Sequence, residues 1–417
     1  MRFLFIYPSP GVLGGIETLI VRMSRWLVNH GHQVSLLIES PGEWTGLLPE
    51  GVQCVALGKR YRKLYYYYHA KRLWESLGIP QPDVIKSFDL PSSWMACQLA
   101  DLTGNTCKVI AGIYNPFVFK WYYSTKTLAP WDDNRLYLRN YLKRIPASAR
   151  LFCGTDQIEE LAEVHHEKGM LWPLPIARNE FEPASRKPKW GKLVSVGRLS
   201  PMKEYNLYMI DVVSDLIKMG RKVTWSVYGA GEYEGEMRAR IQKHSLEGVI
   251  SMAGKVPYRR FWQVLEDAYV FVGMGTAVLE ASLFKVPNVN AVAYDREGVT
   301  HGAIYRFPPG SIAPGSSCPP NLKVVDEIER ILRLSAAEYR AEEERVYGHV
   351  QEHEMESSMG RLLELVRKAE PIASGKARYL ANYPLWFMRK AMKLCGKEPV
   401  LRHPNAPPAS AGAKACG

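Results

Sequence analysis

The stretch VGMGTAVLEASLFKVPNVN, residues 272–290, begins as a glycine-punctuated turn and becomes an apolar helix with a lone acid, Glu280, near its start. The plain reading of a carboxylate among small and apolar neighbours is that it complements the helix dipole, an effect of about 0.3–1 kcal/mol; why the chain puts a lone acid there is a question for the rest of the sequence. Upstream, SVGRLSPMKEYN sets Arg198 at the end of a strand-like run and Lys203 five residues later, before a helix. The planar guanidinium fork and the point charge of an ammonium together suit a diphosphate. The plainer alternative is a pair of solvated loop charges. Gly14 and Gly15 fall between a first strand and a first helix, where backbone N–H groups and a helix N-terminus can meet a phosphate. A Gly-Gly turn also serves structure alone. Gly229 and Gly231, in YGAGEYEGEM, follow another strand and permit close approach by a flat base or a ribose, although a lone GxG is weak.

These residues need elements to position them, and the chain alternates strand-like with helix-like runs, the mark of parallel sheets wound with crossover helices. RFLFIYP leads into a segment with Ile16, Leu19, Ile20, Met23 and Leu27 at helical spacing, stopped by Gly31. QVSLLIE, DVIKSF and KVIAGIY continue a first doubly wound domain, with a helix around SSWMACQLADL. After the charged, proline-bearing ARNEFEPASRKPKWGK, the series repeats with LVSVGRL, KVTWSVYGAG, VISMAGKV and YVFVGMG, and with helices over 206–219, 236–244 and YRRFWQVLEDA. Further helices are expected over 325–334 and about 337–369. The expected organisation is an N-terminal Rossmann-like domain over 1–175, a linker over 176–192, a C-terminal Rossmann-like domain over 193–370, a basic aromatic helix over 371–400 and a disordered tail over 401–417. Two such domains face each other across a cleft at the carboxyl ends of their strands.

The bulk numbers bound the class. A chain of 417 residues, 47% hydrophobic and 23% charged, is globular and can bury a large core. The five apolar residues before the first Pro/Gly turn are too short for a secretory signal, and no run reaches the roughly 18 apolar residues of a membrane span. Seven scattered cysteines without a paired motif fit a reducing compartment, so the cytoplasm is the expected location. His165 and His166 lack ligand spacing, and no metal or other cofactor is expected.

A formal net charge of +12 favours anionic partners: nucleic acid, phosphorylated small molecules or an acidic membrane. GKRYRKLYYYYHAKRLW, residues 58–74, carries Lys59, Arg60, Arg62 and Lys63, then Lys71 and Arg72, with four consecutive tyrosines and no acid. Cations among interfacial aromatics suit an anionic headgroup layer, on the inner face of the cell membrane. In GKARYLANYPLWFMRKAMKLCGK, Leu385, Trp386, Met388 and Met392 form one face beside Arg389, Lys390 and Lys393, which serves either a membrane surface or packing onto the rest of the chain. No nucleic-acid module is recognisable, and nucleic acid is not an expected partner.

GGIETLIVRMSRWLVNHGHQVSLL, SVGRLSPMKEYNLYMI, VYGAGEYEGEM, MAGKV, GMGTAVLEASLFKVPNV and IYRFPPGS resemble, in that order, the retaining nucleotide-sugar glycosyltransferases of family 4, over about residues 1–370. The resemblance implies the two-domain GT-B fold. It implies that Arg198 and Lys203 hold the donor diphosphate as catalytic residues, with Gly14 and Gly15 near it. Glu280 then binds the ribose hydroxyls, and Gly229, Gly231, Gly275 and Thr276 complete the donor site. No protein nucleophile is required in that family, because the leaving phosphate accepts the acceptor's proton on the same face.

Two departures stand out. The family's first acid, eight positions before Glu280, is Val272, and Tyr114, Asn115 and Pro116 stand where a sugar-contacting histidine is common. The resemblance therefore implies an enzyme that moves a sugar from a nucleotide-diphosphate donor to a lipid-linked glycan acceptor in cell-surface polysaccharide or lipopolysaccharide synthesis. The departures allow an impaired homologue that binds nucleotide sugars as a binding or scaffold subunit.

Overall fold

The computed structural model describes residues 1–8, 14–104, 106–114, 119, 133–177, 186–257, 260–372 and 375, with the isolated positions 384, 387, 391 and 395. The basic aromatic segment over 371–400 therefore lies almost wholly outside the described residues, and the tail over 401–417 entirely so.

Seven parallel strands form the first sheet: β1 (Arg2–Tyr7), β2 (Gln33–Ile38), β3 (Val52–Ala56), β4 (Val84–Ser87), β5 (Lys108–Ile113), β6 (Arg150–Phe152) and β7 (Met170–Leu171), in the order β3-β2-β1-β4-β5-β6-β7. The helices interleaved with them are α1 (Gly15–Asn29), α2 (Tyr67–Ser76), α3 (Leu90–Leu102), α4 (Asp133–Arg144) and α5 (Thr155–His165). Both faces of the sheet are covered, which is why β1 is apolar from Phe3 to Tyr7 without alternation and β4, Lys86 and Ser87 included, is buried along its whole length. The start of α3 follows from its sequence: Asp89 accepts from the Ser92 amide at 2.7 Å and Ser92 reciprocates in a capping box. Arg144 on α4 forks onto Asp101 on α3 at 2.8 Å through each nitrogen, and both side chains are buried. Removing either partner would strand a charge in the core.

The second sheet comprises β8 (Lys192–Val196), β9 (Thr224–Tyr228), β10 (Ile250–Gly254), β11 (Val270–Gly273) and β12 (Asn288–Asn290), parallel in the order β10-β9-β8-β11-β12. Its helices are α6 (Tyr205–Lys218), α7 (Glu234–Lys243), α8 (Phe261–Leu265), α9 (Thr276–Leu283) and α10 (Val324–Leu332), and a short antiparallel pair, β13 (Val299–Thr300) and β14 (Leu322–Lys323), stands apart.

The long helix expected over 337–369 is two helices, α11 (Ala336–His349) and α12 (Met355–Lys368). The break is where the chain crosses between domains. There Ile176 bridges to Glu354, and the buried His353 ring bonds the Leu174 carbonyl at 3.0 Å. Beyond it, Met359, Leu362 and Val366 of α12 join the apolar cluster of β1 and β4 rather than that of the second sheet. The sequence reading set these residues within the C-terminal domain, but their apolar stripe is buried by the N-terminal sheet.

Candidate functional site

Strand order reverses between β1 and β4 in the first sheet and between β8 and β11 in the second. Crevices open at the carboxyl ends of strands at such switch points. The turn after β1 carries Gly14 and Gly15, the loop after β8 carries Arg198 and Lys203, and the turn after β11 carries Gly275 and Thr276. Three sets of residues distant in sequence thus converge on one place.

The contacts across the cleft are specific. Thr276 Oγ1 lies 3.9 Å from where a Cβ on Gly15 would stand, and an Arg198 guanidinium nitrogen lies 3.7 Å from the corresponding point on Gly14. Farther along the same two helices, Arg22 of α1 forms an ion pair with Glu280 of α9, both largely shielded from solvent. Seven residues of α1 and four of α9 separate the two contacts, so the helices run in the same direction with their N-termini together.

Those N-termini differ. Gly275, the residue before α9, has φ +69° and ψ −145°, a conformation essentially reserved for glycine, and no side chain caps the helix. The Val278 N–H bonds the Gly275 carbonyl at 3.1 Å, which leaves the Thr276 and Ala277 amides of the first turn to face an anion. At α1 the expectation of a free N-terminus requires correction. Glu17 folds back so that its Oε2 lies 2.9 Å from where a Cβ on Gly14 would stand, near the Gly14 and Glu17 amides and the Tyr7 hydroxyl. Burial pushes its carboxyl pKa up, against the pull of these donors and of Arg198. The Gly-Gly turn therefore presents an internal acid beside Arg198.

Lys203 ends a single 3-10 turn, Pro201–Lys203, and Asn206 holds its carbonyl at 2.9 Å. Its ammonium lies against the backbone of Gly197, in space a β-carbon there would need. Burial first, and the charge of Arg198 second, push the Lys203 pKa down to about 8. A desolvated ammonium beside a second cation is a site that gains from an arriving anion. Glu204, next in sequence, is buried and accepts from Tyr233 at 2.7 Å and twice from Arg296, at 2.9 and 3.1 Å.

Gly229 and Gly231 have a different reason for being glycine from the one read in the sequence. A Cβ on Gly229 would stand 1.9 Å from the Gly197 carbonyl oxygen, and one on Gly231 would stand 2.1 Å from that of Leu199. What approaches so closely is the loop bearing Arg198, and the glycines let two loops lie backbone against backbone.

Val272 is fully buried in β11, paired with Val289. The strand runs straight into the glycine turn, so the position eight before Glu280 belongs to the core. Tyr114 is likewise turned inward: its ring folds back over Gly112, and its hydroxyl accepts from Lys86 Nζ at 2.8 Å. Asn115 and Pro116 lie outside the described residues. Lys86 is itself fully buried among the rings of Phe88, Tyr114 and Trp172, at 4.9, 5.1 and 5.5 Å, and burial pushes its pKa down to about 7.

Residues 13–176 match the model of the family described as Glycosyltransferase Family 4, and residues 177–340 match that of Glycosyl transferases group 1. The chain belongs to the glycosyltransferases of family 4. Its two parallel-sheet domains have the GT-B arrangement. Among solved structures, it resembles sucrose-phosphate synthase of Thermosynechococcus elongatus with TM-score 0.64 at 15% identity, covering 88% of this chain and 98% of that one. It resembles Anabaena HepE, solved with UDP and glucose, with TM-score 0.61 at 13% identity, covering 88% and 100%. A curated relative, the protein of Salmonella typhimurium named as the colanic acid biosynthesis glycosyltransferase WcaL, is 28% identical over 113 residues, which span 24% of this chain and 28% of the relative.

Glu17 and Arg22 were not singled out from the sequence. The signal for Arg22 was there: seven residues after Gly15 it falls on the same face of α1. The four cations Lys59, Arg60, Arg62 and Lys63 lie outside the cleft, on the 3-10 segment Gly58–Tyr65 that follows β3. Tyr61 and Leu64 turn into the core and leave the cations exposed, none of them ion-paired among the described residues. No helix among the described residues is long and apolar enough to cross a membrane.

Proposed function

We propose that this glycosyltransferase retains anomeric configuration and moves a sugar from a nucleotide-diphosphate donor to a lipid-linked glycan acceptor, in cell-surface polysaccharide or lipopolysaccharide synthesis. The observation that carries the reading is the uncapped N-terminus of α9 beside Arg198 and Lys203, at facing switch points. The colanic acid relative and the UDP-bound fold neighbour support the substrate class.

In this reading the bond from the anomeric carbon to the diphosphate breaks, and the acceptor oxygen bonds to that carbon on the same face. The acceptor's proton passes to the departing phosphate oxygen. Arg198, Lys203 and the α9 amides stabilise the negative charge that develops there, and Glu280 holds the ribose. Preorganised charge at a developing anion is commonly the largest catalytic contribution. The four exposed cations hold the enzyme at an anionic leaflet on the inner face of the cell membrane, where a lipid-linked acceptor is presented.

The buried Val272 and the inward Tyr114 favour a second reading, a homologue that binds nucleotide sugars without transfer. Thermal stabilisation by a panel of nucleotide sugars, followed by release of nucleoside diphosphate in the presence of lipid-linked acceptors, separates the two. An enzyme gives both signals, and Arg198→Ala slows release about 10²-fold or more. Stabilisation without release establishes the binding homologue. The proposed donor site fails if no nucleotide sugar stabilises the protein, or if Arg198→Ala turns over as the wild type does.

A further inference from the structure

Glu280 does not face the cleft alone. Arg22, from the other domain, donates to one carboxylate oxygen, Oε1. The side chains are 3% and 12% exposed for Arg22 and Glu280, so the pair is shut into the wall between α1 and α9. A surface pair contributes little, whereas a charge in such a place needs a partner to offset its lost hydration. The contact also constrains geometry. Glu280 stands on the second turn of α9, one turn below Thr276, and a free glutamate there would sample several rotamers. With Oε1 held by a side chain anchored on α1, the plane of the carboxylate is set and Oε2 remains to accept.

We propose that Arg22 is a positioning residue for the nucleotide ribose, and that it assembles the ribose site from both domains. The inference rests on the reading of Glu280 as the ribose acceptor. Arg22 touches no ligand; it aims the carboxylate that does. The pyrophosphate site, made by Arg198, Lys203 and the α9 amides, comes from the C-terminal domain alone. The ribose site is complete only when α1 lies against α9 as it does here, so that recognition of ribose and approach of the two domains are coupled.

The test uses inorganic pyrophosphate, the uridine, adenosine and guanosine diphosphates, and their 2′-deoxy counterparts, with dissociation constants measured on the full chain. The wild type should prefer the ribose form of its best nucleotide about tenfold or more over the deoxy form. Glu280→Gln and Arg22→Met should both reduce that preference towards one, and leave pyrophosphate affinity within about twofold. Arg22→Lys should restore part of it, because the charge and reach are kept. The double variant Arg22→Glu with Glu280→Arg re-forms an interdomain pair of opposite polarity. It should recover the melting temperature lost in Arg22→Met without recovering the ribose preference.

An unchanged preference in Arg22→Met, in a protein whose Glu280→Gln variant has lost it, overturns the inference and leaves the ribose assignment standing. No preference in the wild type, or none lost in Glu280→Gln, removes the ribose assignment and the inference with it. If the Met variant does not fold, Arg22→Lys decides: a preference as strong as the wild type's, together with a lowered melting temperature, marks Arg22 as a clamp between domains and nothing more.

Discussion

Lys203 offers a direct measurement of the proposed diphosphate site. In the free protein, burial and the neighbouring Arg198 bring its pKa down to about 8 from an ordinary 10.5. A donor diphosphate adjacent to Nζ supplies the charge that the site lacks. A return to 10.5 corresponds to ~3.4 kcal/mol carried by the proton. The sign follows from which state binds the proton more tightly. Below pH 8 Lys203 is already charged and donor affinity is flat; above pH 8 the complex must take up a proton and affinity falls. The dissociation constant should rise about tenfold between pH 7 and pH 9. Uptake should be about half a proton per donor at pH 8 and close to one at pH 9. Calorimetry in buffers of different ionisation enthalpy measures both, using the nucleotide sugar that stabilises the protein best. Lys203→Arg carries a guanidinium that stays charged throughout, so its affinity should not follow pH, and the difference between the two proteins cancels any ionisation of the base. A wild-type affinity flat from pH 7 to 9, or an equal slope in Lys203→Arg, would refute the assignment of Lys203 to the diphosphate.

Two further outcomes are expected. Lys86 is fully buried with its pKa lowered to about 7, so an unfolded chain binds its proton more tightly between pH 7 and 10.5. Stability should therefore rise with pH, by about 2 kcal/mol between pH 7 and 9 from this group. Lys86→Met should lack that increment in chemical denaturation, and identical slopes in the two proteins would exclude a neutral buried lysine. Replacing Lys59, Arg60, Arg62 and Lys63 with Gln should release the protein from phosphatidylglycerol vesicles, each cation being worth about 1 kcal/mol near an anionic surface. High salt should mimic the change. Turnover on a soluble acceptor should persist, and vesicle flotation that ignores both charge and salt would remove this surface from consideration.

Much of the fold is local in origin and therefore legible in the residues. Period-3.6 apolar spacing from Ile16 to Leu27 becomes α1, and the unbroken apolar run FLFIY becomes a central parallel strand because helices cover both faces. The glycine turns and the Arg198/Lys203 loop were identifiable because each directly follows a strand, and parallel topology brings all strand ends to one side. What the chain folds against could not be read this way. The apolar face of α12 fits either sheet, and only tertiary packing assigns it to the N-terminal one. Gly229 and Gly231 are small in any reading, but only the folded protein shows that the neighbouring backbone, rather than a ligand, occupies the vacated space. The partner of Glu280 lies 258 residues away in sequence. No local pattern encodes a pairing at that separation. Whether a lone acid on an apolar helix serves the helix dipole or a neighbour depends on which charge the other domain brings beside it, and here the other domain brings Arg22.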